Sequence, residues 1–257
     1  MTAPLAVQLY SLRDATATDL PGVLGALAAQ GYVGVESAGL AERTPAEFAA
    51  LLAEHGLTLA SAHVGHDDDP GVYTAALEAH AAAGATTAVI PALWPKHFAD
   101  LDAVSRAADL INAARDRAEG LGLRLGYHNH FWELALLADR PALLHLFDRV
   151  HPDVVAEIDI YWAVVGGVDA AALVTELGDR VRLLHVKDGP ADGHESDMVA
   201  VGDGVIPVAE ILAAGTAAEW HIVELDRCAT DMLTAVGRSL DHLVGAGLSR
   251  GRDGSIA

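Results

Sequence analysis

Short apolar runs alternate with longer amphipathic segments along almost the whole chain of 257 residues. Several runs are apolar at consecutive positions, which is typical of strands buried on both faces of a parallel sheet. The run starts lie 24 to 39 residues apart, which leaves room for a helix after each one. Eight runs are found: Leu5–Leu12, Val33–Ala38, Leu57–Val64, Thr86–Leu93, Leu123–His128, Val154–Ile160, Val181–Val186 and Trp220–Leu225.

The segments between the runs carry helix signals. Asp19 followed by Leu and Pro predicts a helix start that Gly31 ends, and Thr44 with Pro45 predicts another that Gly56 ends. The longest helix is predicted from Phe98 to Glu119, where apolar residues recur every three or four positions. Further helices are predicted over Pro141–Arg149, Ala170–Leu177, Pro207–Ala214 and Met232–Val244.

Eight strands that alternate with helices predict a single-domain α/β fold, a (β/α)₈ TIM barrel. An open doubly wound sheet is the alternative, but it usually has fewer strands and a glycine-rich turn after the first. Here the first run continues from Gln8 to Arg13 without a glycine. We expect residues 1–248 to form the barrel and residues 249–257 to form a loose C-terminal tail.

The composition and net charge of the chain argue against several classes of protein and partner. The chain is 52% hydrophobic and has 36 acidic against 16 basic residues, a net charge of −20. This excludes a disordered chain and argues against nucleic acid and anionic membranes as partners, although a small anionic substrate stays open. The single cysteine, Cys228, cannot form an internal disulfide. The sequence shows neither a signal peptide nor a run of about 18 apolar residues, so we expect a cytoplasmic protein.

Polar side chains concentrate at the ends of the predicted strands. In a barrel these ends meet at one face, where active sites lie. Any single His or Glu at a strand end is more often structural, so the argument depends on their occurring together. The residues are Gln8, Tyr10, Glu36, His63, His66, Trp94, His128, His130, Asp159, Tyr161, His185, Lys187, Glu224 and Asp226.

Three of these residues predict a metal site. Asp159, His185 and Glu224 come from three consecutive strands, and Glu133 lies just beyond the strand before them. Buried carboxylates are costly unless they are paired or bind a cation. Three carboxylates and one imidazole suit one divalent ion, with Mn²⁺ favoured over Mg²⁺, Co²⁺ or Zn²⁺. His128 is the alternative to Glu133 as the fourth ligand.

The chain resembles a known family through several motifs taken together, which cover residues 7 to about 243. It is similar to the sugar phosphate isomerase/epimerase superfamily, the xylose isomerase-like TIM barrels, and most of all to a subgroup with the pattern HNHxxE. The motifs are Val7–Arg13, Gly34-Val-Glu36, Tyr127-His-Asn-His130 with Glu133, Asp159-Ile-Tyr-Trp162, His185-Val-Lys-Asp188, Val201-Gly-Asp-Gly204 and Val223-Glu-Leu-Asp226.

The resemblance implies an enzyme that binds a divalent metal and moves a proton next to a carbonyl of a sugar or keto-sugar. It implies Asp159, His185 and Glu224 as ligands, plus one from the fifth strand. Many relatives have Glu-Asn-His there, whereas this chain has His128-Asn-His130. A sugar isomerase/epimerase is favoured. A dehydratase or lyase acting on an inosose or 3-keto-glycoside stays open, as does a non-catalytic barrel that binds a polyol or a partner protein.

Catalytic and substrate-binding roles are predicted for the polar residues at the strand ends and for Glu133. Glu133, Glu224, His128, His130 and Lys187 are predicted to take part in catalysis. Lys187 lies two residues after His185 and should face the same mouth, with Asp188 holding its ammonium group. The sequence is compatible with a homo-oligomer. The predicted substrate-binding residues are Tyr10, Glu36, His63, Trp94, Tyr161 and Asp226.

Overall fold

A computed structural model describes residues 2–228 and 230–252 of the chain. Eight parallel strands form a closed barrel in chain order, and the last strand pairs with the first. This confirms the predicted (β/α)₈ barrel. The strands are β1 (Leu5–Gln8), β2 (Gly34–Ala38), β3 (Thr58–His63), β4 (Thr87–Ile90), β5 (Arg124–His128), β6 (Val155–Asp159), β7 (Val181–Val186) and β8 (Trp220–Val223).

Helices surround the barrel and follow its strands. The sequence analysis gave no bounds for two of them, namely α3 after β3 and the short α6 that follows β6 directly. The helices are α1 (Arg13–Gln30), α2 (Pro45–His55), α3 (Pro70–Ala82), α4 (Leu101–Gly120), α5 (Ala142–Phe147), α6 (Ile160–Val165), α7 (Ala170–Leu177), α8 (Val208–Ala214) and α9 (Met232–Gly245).

The predicted helix starts correspond to real caps. Thr44 caps α2 through a reciprocal pair with Glu47: Thr44 Oγ1 accepts from the Glu47 amide (3.3 Å) and the Thr44 amide donates to Glu47 Oε2 (2.9 Å). Asp19 has a non-helical backbone (φ −147°, ψ 73°) inside α1, and its Oδ1 accepts from the Gly22 amide (3.0 Å). The helix therefore begins earlier than predicted, at Arg13, and is interrupted at Asp19.

The barrel interior is divided into an apolar layer and a polar layer. Large apolar side chains fill the space between sheet and helices. Inside the barrel, a separate apolar cluster closes the lower part, and charged residues occupy the part nearer the carboxyl ends of the strands. This lower cluster contains Ala6, Ala60, Val89, Leu183 and Ile222. The charged groups next to this apolar cluster are shielded from water on one side, so the electrostatic interactions between them are strong.

The C-terminal segment differs from the prediction. Ser249 is buried and its Oγ lies 2.8 Å from His221 Nδ1. The Arg250 amide donates to the Ala3 carbonyl (2.9 Å), and the Arg252 amide donates to the Gly31 carbonyl (2.7 Å). Residues 249–252 therefore pack on the amino-terminal side of the barrel and are not a loose tail. Residues 253–257, the rest of the predicted tail, lie outside the described residues.

No helix in the described ranges combines the length and the apolar character needed to cross a membrane.

Candidate active site

The carboxyl ends of the strands surround a cavity of about 340 Å³ at one face of the barrel. Imidazole and carboxylate groups from β3, β5 and the segment after β8 form its polar wall. The lining residues are Tyr10, Ala38, His63, Pro91, Ala92, His128, His130, Glu224 and Asp226. The cavity is where parallel barrels usually bind small molecules.

Four buried residues at the base of this cavity could hold a metal ion. His128, Asp159, His185 and Glu224 each offer one atom, and these atoms lie within 4.8 Å of one another. We call these four residues the outer cluster. They come from β5, β6, β7 and the residue after β8, so four neighbouring strands position them. Two imidazoles and two carboxylates are a usual donor set for Zn²⁺, Co²⁺ or Mn²⁺.

One atom of the outer cluster is left without a hydrogen bond. Asp159 Oδ1 accepts from the Trp162 amide (2.8 Å) and so caps α6. Asp159 Oδ2 is buried and accepts no hydrogen bond from the described part of the chain, with the Lys187 ammonium at 3.0 Å and His128 Nε2 at 3.8 Å. Because buried carboxylate oxygens rarely remain without a hydrogen bond, this atom fits a bound cation.

A second group lies deeper in the barrel. His63, His128, Glu157 and His185 also bring one atom each within 4.8 Å of the others; we call them the inner cluster. Glu157 Oε2 is 2.7 Å from His63 Nε2, 3.0 Å from His128 Nδ1 and 3.2 Å from His185 Nε2.

Glu36 supports the inner cluster from the other side of the barrel. Its Oε2 lies 2.7 Å from His185 Nε2. Gln8 Nε2 donates to Glu36 Oε2 and Ser61 Oγ donates to Glu36 Oε1, both at 2.6 Å.

The two shared histidines face the two clusters with opposite ring nitrogens. His128 turns Nδ1 toward Glu157 and Nε2 toward Asp159. His185 turns Nε2 toward Glu36 and Glu157 and places Nδ1 2.8 Å from Glu224 Oε2. A carboxylate that accepts from one ring nitrogen leaves the lone pair on the other nitrogen for a metal. The inner carboxylates thus orient both imidazoles toward the outer cluster.

Burial and neighbouring charges shift the pKa values in opposite directions. Burial, with the charge of His185, lowers the pKa of His128 to about 3. Burial would lower the pKa of His185 as well, but Glu157, Glu36 and Glu224 raise it well above its usual value. Burial raises the pKa of Asp159 to about 6 against the effect of Lys187. Without a cation the site therefore holds protons that metal binding must release.

Lys187 is buried, and its ammonium group contacts three carboxylates. Its Nζ lies 2.7 Å from Glu224 Oε2, 2.8 Å from Asp226 Oδ2 and 3.0 Å from Asp159 Oδ2. Although burial opposes protonation, the charges of Asp159, Asp226 and Glu224 raise the pKa of Lys187 well above its usual value. Lys187 is therefore a fixed cation at the base of the cavity and not a solvated surface lysine.

Asp188 does not hold the Lys187 ammonium group as the sequence analysis predicted. Its Oδ1 accepts from the amides of Gly189 (2.8 Å) and Ile206 (3.1 Å), and its Oδ2 from those of Gly202 (2.9 Å) and Gly204 (3.1 Å). A β-carbon on Gly204 would overlap the Asp188 carboxylate and the Gly189 amide nitrogen, so only glycine fits there. Asp188 therefore folds the loop after β7 back onto the strand.

Glu133 is not in either cluster. It is buried; Tyr127 Oη donates to its Oε1 (2.8 Å), and the His130 amide donates to its Oε2 (3.0 Å). Burial raises the pKa of Glu133 to about 8. Both carboxylate oxygens are thus used within the segment after β5, and the structure places His128 instead of Glu133 beside Asp159, His185 and Glu224.

The predicted substrate-binding residues divide into two groups. Tyr10, His63 and Asp226 line the cavity. Glu36 and Tyr161 are fully buried and do not belong to its lining. Trp94 is 67% exposed and lies beside the cavity, outside its lining.

Glu157 belongs to the inner cluster but is not among the candidate residues that the sequence analysis names. The signal was present, because Glu157 precedes Asp159 by two positions and must face the same side of the strand.

A family profile described as the xylose isomerase-like TIM barrel matches residues 24–233. Among solved structures, a sugar phosphate isomerase/epimerase from Parabacteroides distasonis ATCC 8503 is similar at a TM-score of 0.82 and 22% identity, covering 95% of this chain and 94% of that one. A D-allulose 3-epimerase from Methylomonas sp. is similar at a TM-score of 0.69 and 16% identity, and the match covers 94% of this chain and 97% of that one.

A probable 3-DHS dehydratase from Bacillus anthracis is similar at a TM-score of 0.69 and 13% identity, covering 93% of this chain and 98% of that one. These identities show a shared fold and no more. None of the curated proteins compared with the chain is similar enough in sequence to count as a match.

Proposed function

Because the chain belongs to the xylose isomerase-like TIM barrel family, we propose that it is a metal-dependent enzyme that isomerises or epimerises a sugar or keto-sugar. The observation that carries the proposal is the outer cluster of His128, Asp159, His185 and Glu224 at the base of the cavity. When bound there, a divalent ion such as Mn²⁺ supplies polarisation of a substrate carbonyl and stabilisation of negative charge.

One side chain of the outer cluster and one beside it are suited to move a proton. His130 lines the cavity, and its buried Nδ1 has no hydrogen-bond partner among the described residues. Glu224 also lines the cavity; although burial opposes its ionisation, Lys187 and His185 hold its pKa well below the usual value. We assign proton abstraction next to the carbonyl to one of these two groups.

Lys187 supports the same chemistry as a fixed cation. Its ammonium group lies between Asp159, Glu224 and Asp226, so its positive charge can stabilise negative charge that develops on a substrate oxygen in the cavity. Elimination from an inosose or 3-keto-glycoside is the second candidate reaction, because it starts with the same proton abstraction. The similarity to both an epimerase and a dehydratase is consistent with either outcome.

The metal site can be tested with Asp159→Asn. Asparagine keeps the oxygen that caps α6 but replaces the unbonded Oδ2 with an amide nitrogen that cannot ligate. After removal of metal with a chelator and addition of Mn²⁺, we expect the wild-type protein to bind one equivalent and the variant to bind almost none. Asp226→Asn is the matched control, since Asp226 lines the same cavity and contacts Lys187 but lies outside the outer cluster.

The reaction is tested with ketoses, inososes and 3-keto-glycosides in D₂O with Mn²⁺. Deuterium at the carbon next to the carbonyl of the product supports proton abstraction. Equal Mn²⁺ binding by Asp159→Asn and the wild type would refute the metal site. Turnover without deuterium would refute proton exchange with solvent and indicate a hydride shift.

A further inference from the structure

Trp94 is a large aromatic side chain left mostly in water beside the cavity. It is 67% exposed, whereas Trp162 is buried at 6% exposure. It follows Pro91 and Ala92, which line the cavity, and precedes the short 3₁₀ helix Pro95–Phe98. A ligand that binds in the cavity and extends past its rim would cover this exposed indole.

The segment that carries Trp94 is held firmly in place. Trp132 Nε1 donates to the Leu93 carbonyl (2.9 Å), and the Leu93 amide donates to Tyr127 Oη (3.3 Å). Tyr127 is buried and is fixed in turn by its bond to Glu133. Both backbone groups of Leu93, the residue before Trp94, are therefore hydrogen-bonded. Because this segment is already fixed, less entropy is lost when a ligand binds to the Trp94 indole.

The Trp94 ring continues a row of nearly parallel rings that starts inside the cavity. His130, which lines the cavity, stacks on Trp132 with ring centroids 4.3 Å apart and planes at 9°. Trp132 and Trp94 follow at 6.4 Å and 22°. This row of rings thus leads from His130 in the cavity lining to the exposed Trp94 outside it.

The charges at the mouth favour a neutral ligand. Lys187 and Arg13 both contact residues of the cavity wall, and both are already engaged. Lys187 pairs with three carboxylates, and Arg13 donates to the carbonyl oxygens of Tyr10 (2.9 Å) and Asp226 (3.0 Å). Glu224 and Asp226 also face the cavity. Neither cation is therefore free to pair with a substrate phosphate.

We propose that Trp94 forms an outer subsite that takes the apolar face of a second ring, so that the substrate is an uncharged two-ring compound whose first ring carries the carbonyl, and not a sugar phosphate. This inference rests on the proposed function, because the first ring occupies the cavity above the outer cluster. The second ring then lies on the Trp94 indole, where the apolar C–H face of a sugar or an aryl ring replaces water.

The inference is tested by calorimetric titration of the Mn²⁺-loaded protein. The probes are the methyl and phenyl glycosides of glucose and galactose in both anomeric forms, with glucose 6-phosphate as the charged probe. We expect at least one phenyl glycoside to bind about tenfold more tightly than its methyl counterpart. In Trp94→Ala this advantage should be lost while the affinity for the methyl glycoside changes less than twofold, and Trp94→Phe should restore part of it.

An independent readout uses acrylamide quenching of tryptophan fluorescence. The exposed Trp94 should be protected from quenching by the phenyl glycoside and not by the methyl glycoside. Equal affinity for both in the wild type would overturn the inference alone, as would tighter binding of glucose 6-phosphate. An oligomer that dissociates in Trp94→Ala without any change in glycoside affinity would assign Trp94 to a protein interface instead. Binding of none of the probes would overturn the inference alone, because these glycosides lack the carbonyl with which the proposed function is tested.

Discussion

Replacing Glu133 by Gln tests whether Glu133 is a metal ligand or a buried residue that supports the segment after β5. The native pKa of Glu133 is about 8 because of its burial, against 4.5 for an unperturbed Glu. Between these two pH values the native state binds more protons than the unfolded state, so the free energy of unfolding falls as the pH rises. At 1.36 kcal/mol for each pKa unit, the full loss above pH 8 is about 5 kcal/mol at most.

The measurement is urea denaturation of the metal-free wild type and Glu133→Gln at several pH values from 5 to 9. All other titrating groups are shared, so the difference between the two curves isolates Glu133. We expect the wild type to lose a few kcal/mol relative to the variant over this range. Gln can still accept one of the two hydrogen bonds from Tyr127 and His130, so a constant offset is also expected.

Two outcomes would refute this reasoning. Parallel stability curves would mean that Glu133 ionises normally and is not desolvated as its burial indicates. Loss of bound Mn²⁺ in the Glu133→Gln protein would mean that Glu133 is the fourth ligand, as the sequence analysis predicted, and that the segment after β5 moves when metal binds.

Two further predictions follow from buried ionisable groups. Lys187→Met should lower the Tm of the metal-free protein, because Asp159 and Glu224 lose their cation. Mn²⁺ should therefore raise the Tm of the variant more than that of the wild type, and equal increases would contradict this expectation. Under turnover we expect the variant's kcat to fall roughly 100-fold. Burial lowers the pKa of His221 to about 4, so the unfolded state binds more protons between pH 6.5 and pH 4, and about 3 kcal/mol of stability should be lost as the pH falls through this range. His221→Gln should flatten that loss in urea denaturation, and an unchanged slope would show that other groups cause it.

The barrel and most of the mouth could be predicted from the sequence because buried parallel strands are continuous apolar runs that end in polar residues. Helix α6 could not, since the apolar pattern continues from β6 into Ile160 and Tyr161 without a turn signal. Its start depends on Asp159, which caps the helix with one carboxylate oxygen.

The depth of a side chain inside the barrel also escaped the sequence analysis. Glu36 and Glu157 lie on strand faces that the alternation predicts correctly, but the stagger between neighbouring strands decides which residues share a level. Glu36 lies opposite Gln8 and Ser61, so its carboxylate is enclosed below the cavity. The choice between His128 and Glu133 likewise depends on how the chain turns after β5.

The arrangement of His128 and His185 between two levels of carboxylates has an evolutionary consequence. The direction of both imidazoles is specified from beneath, by Glu157 and Glu36 on the strands, and not by the loops that close the mouth. Insertions or substitutions in those loops can therefore alter which molecule is admitted without disturbing the geometry of the reactive centre. Such a division separates inherited chemistry from adaptable selectivity, and it allows one scaffold to acquire new substrates by small steps.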